Sequence, residues 1–337
     1  MKKIVTVKKK VVVVGGGTGT HTVLRGLRPY ADILDITAIV SMADSGGSTG
    51  RLRDEFGFLP IGDVRNALTA LAAEGDEYDK LLRELFSYRF NKGEGLSGHN
   101  FGNLLMTALT DILGSEVLAI EATSNLLRVA GKVVPVTTDQ THLEARYENG
   151  EILVGEHEID EVIEKYNNLR IIDLILKPKA KLYEGAREAL CEADLIVLGP
   201  GDLYTSVIAN FIVDGFCEAL DKSQAKLIYV CNLMSKKGQT VGLNAKEHVE
   251  EIIKYAKHTP DIVIVNSTNF SEEEVLEYKK EGNFPVLNNC TKNELYEISA
   301  QPLVSRATIK KSEGDMLKRS LVRHDPAKLA NVILEQI

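Results

Sequence analysis

The sequence predicts a doubly wound α/β fold, in which helices flank a mostly parallel, Rossmann-like sheet. The β-branched run at 11–14 ends at three glycines, as a buried parallel strand does when it turns into a helix. A second apolar run, 194–198, also ends at a glycine-rich turn before a helical pattern. Elsewhere, strand patterns alternate with helical patterns, which is the order expected of a parallel sheet.

The first elements follow in a regular order. Helical spacing of apolar residues after Gly19 continues to Pro29, and residues 36–40 form the second strand. The stretch 44–62 is rich in Gly, Ser and charge without periodicity, and is expected to be a ligand loop. An inserted helical block, at about 63–128, contains helical patterns at 63–73, 76–89, 100–113 and 115–127.

A small β-hairpin lobe is predicted at about 132–155, where Asn149-Gly150 is the turn between strands at 143–147 and 152–154. Alternation then resumes with strands at 170–176, 194–198, 226–230 and 262–265, and with helices at 186–191, 203–219 and 245–255. Since no Pro- or Ser-rich linker divides residues 1–337, we expect a single domain with these two insertions.

Composition narrows the classes of function. The net charge of -8 argues against a general nucleic-acid binder, which needs a clustered basic surface. The run at 11–14 is far below the ~20 residues that span a bilayer, so no membrane insertion is expected. The four cysteines form no CxxC pair and indicate reduced thiols in the cytoplasm.

The loop after the first strand is the leading candidate for a phosphate site. It consists of Gly15, Gly16, Gly17, Thr18 and Gly19. At such a junction, backbone N–H groups and the positive end of the helix dipole favour an anion. The loop lacks the lysine of a Walker A motif and matches the dinucleotide pattern only loosely. A tight turn without a ligand is the alternative.

A second small-residue loop follows the second strand. Asp44 stands where doubly wound folds place an acid against a ribose hydroxyl or a metal. Ser45, Gly46 and Ser48 continue the loop, and Arg51 supplies a cation that can clamp phosphate oxygens. The alternative is a flexible surface loop with solvated arginines.

Two helix starts carry further polar candidates. Asp63 is a ligand or metal contact or simply the N-cap of its helix, and Arg65 and Asn66 follow in the first turn. His99 and Asn103 are one helical turn apart and can face the same pocket. His99 is a candidate acid or base, or a hydrogen-bonded residue at the helix start.

The glycine-rich turn after 194–198 is a second candidate phosphate loop, because it also leads from a buried strand into a helical pattern. Tyr204 is expected to stack on a base or to hydrogen-bond a sugar. Asn232 ends a further strand and is a ligand contact or a turn former. The candidate contacts at the second loop are Gly199, Gly201, Asp202, Tyr204 and Thr205.

Six ordered motifs together resemble the gluconeogenesis factor family, which is related to 2-phospho-L-lactate transferase in the CofD-like superfamily. The resemblance implies a cytoplasmic protein that binds uridine-diphosphate sugars and regulates cell shape and cell-wall synthesis during gluconeogenic growth, without a required cofactor. It rests on GGGTG (15–19), ADSGGSTGRLRDEFG (43–57), GDVRN (62–66), GHNFGN (98–103), LGPGDLYTS (198–206) and YVCNLM (229–234).

The same resemblance implies a rival function and some departures. In a transferase of the phospholactate type, Asp44 and Asp63 bind magnesium and His99 is a candidate base. Ser45 stands where the family commonly has a second acid, and Asp202 where it has serine. An NAD-dependent oxidoreductase fits less well, since the glycine fingerprint is incomplete. A homodimer is a further expectation from the family.

Overall fold

The structure is a computed structural model that describes residues 7–290, 295–305 and 322–337. The basic stretch 310–323, which the sequence predicts to be a regulatory tail or a solvated surface, lies outside these residues except for its last two positions. The strands are β1 (Lys9–Gly15), β2 (Leu34–Val40), β3 (Lys132–Pro135), β4 (His142–Tyr147), β5 (Ile152–Val154), β6 (Ile171–Lys177), β7 (Leu195–Leu198), β8 (Lys226–Val230), β9 (Ile262–Asn266), β10 (Glu297–Gln301), β11 (Val304–Ser305) and β12 (Arg323–His324).

Helices cover the sheets, and none in the described ranges is both long and apolar enough to cross a membrane. A π-helical turn, Leu203–Ile208, precedes the ninth helix. The helices are α1 (Gly17–Leu27), α2 (Gly47–Phe56), α3 (Gly62–Leu71), α4 (Glu77–Ser87), α5 (Phe101–Leu113), α6 (Glu116–Leu126), α7 (Glu156–Asp160), α8 (Glu184–Glu192), α9 (Ala209–Phe211), α10 (Phe216–Lys222), α11 (Ala245–Ala256), α12 (Glu272–Lys280) and α13 (Pro326–Leu334).

The central sheet confirms the doubly wound prediction. Its seven described strands have the order β10-β9-β8-β7-β1-β2-β3, and every neighbouring pair is parallel. The chain moves outward from β1 in one direction through β2 and β3, and in the other through β7 to β10. The strand order therefore reverses between β1 and β7, which is where doubly wound sheets bind ligands.

The segment 44–62 is not the irregular loop that its composition predicted. Residues Gly47–Phe56 form α2, which ends at Gly57 in the left-handed conformation, with φ +70°. The buried face of α2 consists of Ser48, Thr49, Gly50 and Leu52, so small polar residues take the place of an apolar stripe. Hydrophobic periodicity could not reveal this helix, because its buried side is mostly not hydrophobic.

The small lobe also differs from its predicted boundaries. Strand β3 pairs with β2 at the edge of the central sheet, whereas the lobe is a separate antiparallel sheet with the order β5-β4-β6. Its strands span 142–177, and the predicted strand at 170–176 belongs here. The predicted helix at 203–219 is interrupted, since Gly215 adopts φ +98° before α10 begins.

The two glycine-rich loops at the switch point pack directly against each other. Gly19 in the first turn of α1 faces the backbone of Pro200, and any Cβ at Gly19 would overlap the Pro200 carbonyl. By contrast, a Cβ at Gly46 would meet only ordinary contacts, the nearest being His157 Nδ1 at 3.4 Å. Glycine at position 19 is therefore required by close backbone approach.

We predict that Gly19→Ala destabilises the fold by about 3 kcal/mol or more, because the added methyl forces the two loops apart. Gly46→Ala is the matched control, and its cost is expected to stay at about 1 kcal/mol, the usual loss when alanine occupies a helix N-cap, since its φ of -92° suits alanine. Urea unfolding of both variants measures the difference. Equal stabilities would contradict the packing described here.

Candidate functional site

A cavity of about 830 Å³ lies at the switch point, against the carboxyl ends of β1, β7 and β8. One wall contains residues 17–19 of the first glycine loop and residues 200–202 of the second. Asn232, Lys236 and Lys237 also line the cavity, as do residues 277–283 and 322–324. The sequence-predicted residues Gly17, Thr18, Gly19, Gly201, Asp202 and Asn232 are thus together in one cleft.

Asp63, on α3, is hydrogen-bonded to the first glycine loop, which lies 46 residues earlier in the chain. The Gly17 N–H donates to Asp63 Oδ1 at 2.8 Å, and a Cβ at Gly16 would overlap the same carboxylate. Helix α3 has Ile61 at its N-cap, so Asp63 is not the cap of its own helix. It is a brace for the loop at the start of α1.

Asp44 lies near Asp63 and shares its electrostatic environment. Asp44 Oδ1 accepts from the Gly46 N–H at 2.9 Å, and its carboxylate fills the space beside Gly62. Burial raises the pKa of Asp44, and burial together with the Asp44 charge raises the pKa of Asp63 to about 7. The guanidinium of Arg65 opposes both shifts.

The structure adds an acid that the sequence analysis missed. Glu156 Oε2 accepts from the Ser45 N–H at 3.2 Å, and the His157 N–H donates to Ser45 Oγ at 2.9 Å. Ser45 therefore holds α7 against the Asp44 loop rather than lining the cavity. Burial, then the charges of nearby aspartates, raises the pKa of Glu156 to about 10, so this side chain is protonated at neutral pH.

Asp202 is neutralised by a lysine that the sequence analysis did not single out. Lys236 Nζ lies 3.2 Å from Asp202 Oδ2 and 3.7 Å from Asp160 Oδ2. Burial works to raise the pKa of Asp202, but the Lys236 charge holds it below its ordinary value. Thr205 Oγ1 and Gln239 Nε2 both donate to Asp160 Oδ1, at 2.8 and 2.6 Å. Thr205, which the sequence predicted to contact a ligand, therefore uses its hydroxyl proton within this network.

His99 and Asn103 do face the same place, but not the cavity. Ser48 Oγ lies 3.1 Å from His99 Nδ1 and 3.3 Å from Asn103 Nδ2, so three predicted residues form one buried cluster. Burial lowers the pKa of His99, with a further contribution from the Arg51 charge. Arg51 itself donates to the Ser97 carbonyl at 3.3 Å.

The expectation for Tyr204 was wrong in this structure. Its side chain is 2% exposed and its hydroxyl donates to the Ile171 carbonyl at 3.3 Å, so it packs in the core rather than against a ligand. The π-helical turn directs it inward. Asn66 also has an internal partner, since Arg65 Nη2 donates to its Oδ1 at 2.7 Å.

The deciding comparison is with a family model described as "2-phospho-L-lactate transferase CofD", which matches residues 11–304. The chain belongs to the CofD family. Among CofD-family relatives, the "Putative gluconeogenesis factor" of Thermotoga maritima is 42% identical, over 96% of this chain and 98% of its own. The "Gluconeogenesis factor" of Bacillus subtilis is 35% identical, over 97% of this chain and 98% of its own.

A solved structure shows the same CofD-family fold. A crystal structure of a Bacillus halodurans protein superposes with a TM-score of 0.86 at 38% identity, covering 97% of this chain and all of that one (100%). This confirms the family resemblance, which rested on the six motifs, and the α/β fold, which rested on the pattern of strands and helices.

Several residues of this CofD-family site escaped the sequence analysis, namely Glu156, Asp160, Lys236 and His324. Only the first two carried a local signal, since they lie four residues apart, at the two ends of the short helix α7. In the described residues, no group of three or more His, Cys, Asp or Glu side chains is arranged to hold a metal ion.

We predict that Asp63→Asn stabilises the unliganded protein more at pH 8 than at pH 5. The folded-state pKa of Asp63, about 7, lies above the ordinary value of 3.8. Between these values the folded state keeps a proton that the unfolded chain has lost, so stability falls as the pH rises through the window. Asparagine removes this titration and keeps an oxygen for the Gly17 N–H.

Urea unfolding at both pH values tests this prediction. Asp32→Asn is the control, since Asp32 is exposed on the surface, and its effect should be the same at both pH values. A stability gain for Asp63→Asn that does not depend on pH would contradict the assignment.

Proposed function

We propose that the protein binds a nucleotide sugar, with its diphosphate between the two glycine-rich loops. The observation that carries the proposal is the convergence of both loops on one cavity at the reversal of strand order. The first-turn amides of an α-helix have no intrahelical partner and point toward an anion. At α1 the Gly17 amide is bonded to Asp63, so the first-turn amides left for an anion are those of Thr18 and Gly19, and both residues line the cavity.

Size and polarity support a ligand of this class. The cavity volume of about 830 Å³ lies toward the upper end of the range for small-molecule sites and accommodates more than a bare phosphate. Lys236 supplies a cation near the second loop, and Asp202 is already paired with it, so Asp202 does not repel a phosphate as an isolated carboxylate would. Asn232 lies beside the same loop, within reach of ribose or sugar hydroxyls.

We propose a regulatory role rather than catalysis for this binding. Relatives that match nearly the full chain are named gluconeogenesis factors, which supports a role during growth on gluconeogenic carbon. In this proposal a uridine-diphosphate sugar is the signal, cell shape and cell-wall synthesis are the regulated processes, and the cytoplasm is the place of action. No covalent step and no cofactor is required.

The paired acids Asp44 and Asp63 favour a second candidate function, a phosphodiester-forming transferase. Burial raises both pKa values, the Asp44 charge adds to the upward shift of Asp63, and a divalent cation between the two acids would relieve that cost. Carboxylate oxygens are ligands that magnesium accepts, and it commonly uses only one or two of them. When bound, the ion would supply charge neutralisation for a phosphoryl group. This chain's Arg65 would add a fixed positive charge, and His99 is a candidate base.

We predict that a uridine-diphosphate sugar at ~100 times its dissociation constant stabilises the folded state by about 2.7 kcal/mol without magnesium. A thermal-shift panel of uridine and guanosine diphosphates and their sugars, with and without magnesium, measures this. Gly17→Val should abolish the shift, because a branched side chain would project from the loop into the ligand cleft.

Gly57→Val is the matched control for this experiment. Gly57 has φ +70° against +63° for Gly17, so both substitutions carry the same backbone strain, but Gly57 is not a cavity residue. A shift confined to guanosine diphosphate with magnesium would favour the transferase. No shift with any nucleotide would exclude the proposed site.

A further inference from the structure

Three cavity residues each have a buried side-chain atom without a hydrogen-bond partner in the part of the chain that the structure describes. One atom is Asn167 Oδ1, and the other two are Asn232 Oδ1, just after β8, and His324 Nε2, on β12. His324 is 7% exposed, so bulk water does not satisfy it. An unmade hydrogen bond of a buried polar atom costs free energy, which a suitable bound group recovers.

The orientation of Asn232 is determined by its second polar atom. Asn232 Nδ2 donates to the Gly201 carbonyl at 2.6 Å, and a carbonyl oxygen can only accept. The amide cannot be turned over without losing this bond. Its unpartnered atom is therefore the oxygen, which accepts hydrogen bonds, and it lies beside the second glycine loop.

The tautomer of His324 follows from the same reasoning. The His324 ring is hydrogen-bonded to the backbone of Cys231, and this bond works to raise the pKa of the ring, so the ring is the donor. Because Nε2 has no partner, the donating atom is Nδ1, which carries the proton. Burial lowers the pKa of His324 to about 4, so the ring is neutral at pH 7. A neutral imidazole that donates from Nδ1 has a lone pair on Nε2. The second unpartnered atom is also an acceptor.

Two acceptors on residues of one cavity favour a ligand group that donates. An ionised phosphate or carboxylate offers no proton, whereas a sugar hydroxyl does. In a nucleotide sugar, the groups attached to either side of the diphosphate are both sugars. Because Asn232 is bonded to the loop proposed to hold the diphosphate, the next part of the ligand along this wall is a sugar ring.

We infer that Asn232 Oδ1 and His324 Nε2 form an acceptor pair that binds hydroxyl groups of the sugar next to the ligand's diphosphate. This inference rests on the proposed function and names the part of the ligand that the cleft distinguishes. The two acceptor atoms are buried beneath the cavity surface, so binding requires a local adjustment of the wall formed by 322–324. His324 is then a specificity-determining residue.

The test uses His324→Asn and measures the affinity for uridine-diphosphate glucose by titration calorimetry. The asparagine amide can still donate toward Cys231 but has no acceptor at the position of Nε2. We expect affinity to fall about tenfold, as for a lost hydrogen bond to a buried group. His324→Gln, whose amide oxygen reaches toward the position of Nε2, should recover part of the loss.

His248→Asn is the matched control. His248 is also fully buried, its Nδ1 lies 3.0 Å from the Asn244 carbonyl, and its Nε2 has no partner among the described residues. It is not one of the cavity residues. The control should therefore bind uridine-diphosphate glucose with the affinity of the wild type, whatever its stability.

Ligand analogues identify the source of the hydroxyl. If the His324→Asn loss persists with uridine diphosphate alone and vanishes with its 2′-deoxy or 3′-deoxy form, the ribose is the partner. If the His324→Asn loss instead vanishes with uridine diphosphate, which lacks glucose, the hexose supplies the hydroxyl. Wild-type protein that binds uridine-diphosphate glucose, uridine diphosphate and both deoxy forms equally would overturn the inference, and this comparison needs no variant.

The two proposals fail in different ways. Tight binding of uridine-diphosphate glucose that is unchanged in His324→Asn would overturn the acceptor pair and leave the proposed function standing. Absence of binding by the wild type to every uridine nucleotide would overturn both.

Discussion

Close contact between two glycine-rich turns is the constraint on which the cleft depends. The turn after β1 and the turn after β7 meet at Gly19 and Pro200, with no room for a Cβ between them. Parallel pairing of β1 with β7 brings both turns to the same edge of the sheet. The reversal of strand order at this point leaves a crevice above that edge, and the cavity occupies it.

Buried charge around this crevice is balanced locally. Lys236 lies between Asp160 and Asp202, while Asp63 is tied to the Gly17 amide and faces the field of Arg65. A buried ion pair is weak evidence for stability, because desolvation offsets much of its attraction. Its value here is positional, since it keeps a cation beside the second glycine loop.

The sequence predicted much of the fold and the location of the site, but few of the contacts within it. Strands β1, β7, β8 and β9 have continuous apolar runs that end at turn residues, so their ends could be predicted directly. Helix α2 was missed because its buried face is mostly small and polar, and β3 was placed in the wrong sheet because a short apolar strand does not specify its partner. Tyr204 follows a glycine turn as a ligand contact would, yet the π-helical turn points it into the core.

By itself, the sequence determined the α/β class, the two glycine-rich turns and the resemblance to the CofD family. These features are local, since apolar runs and glycine placement act within one strand and its adjoining turn. Tertiary structure decided which polar groups meet, Asp63 with Gly17 and Lys236 with Asp160 and Asp202, and it brought His324 and Asn232 to the same cavity. Hydrogen bonds and ion pairs depend on distances of a few ångströms between segments far apart in the chain, and no periodicity within a single segment encodes those distances.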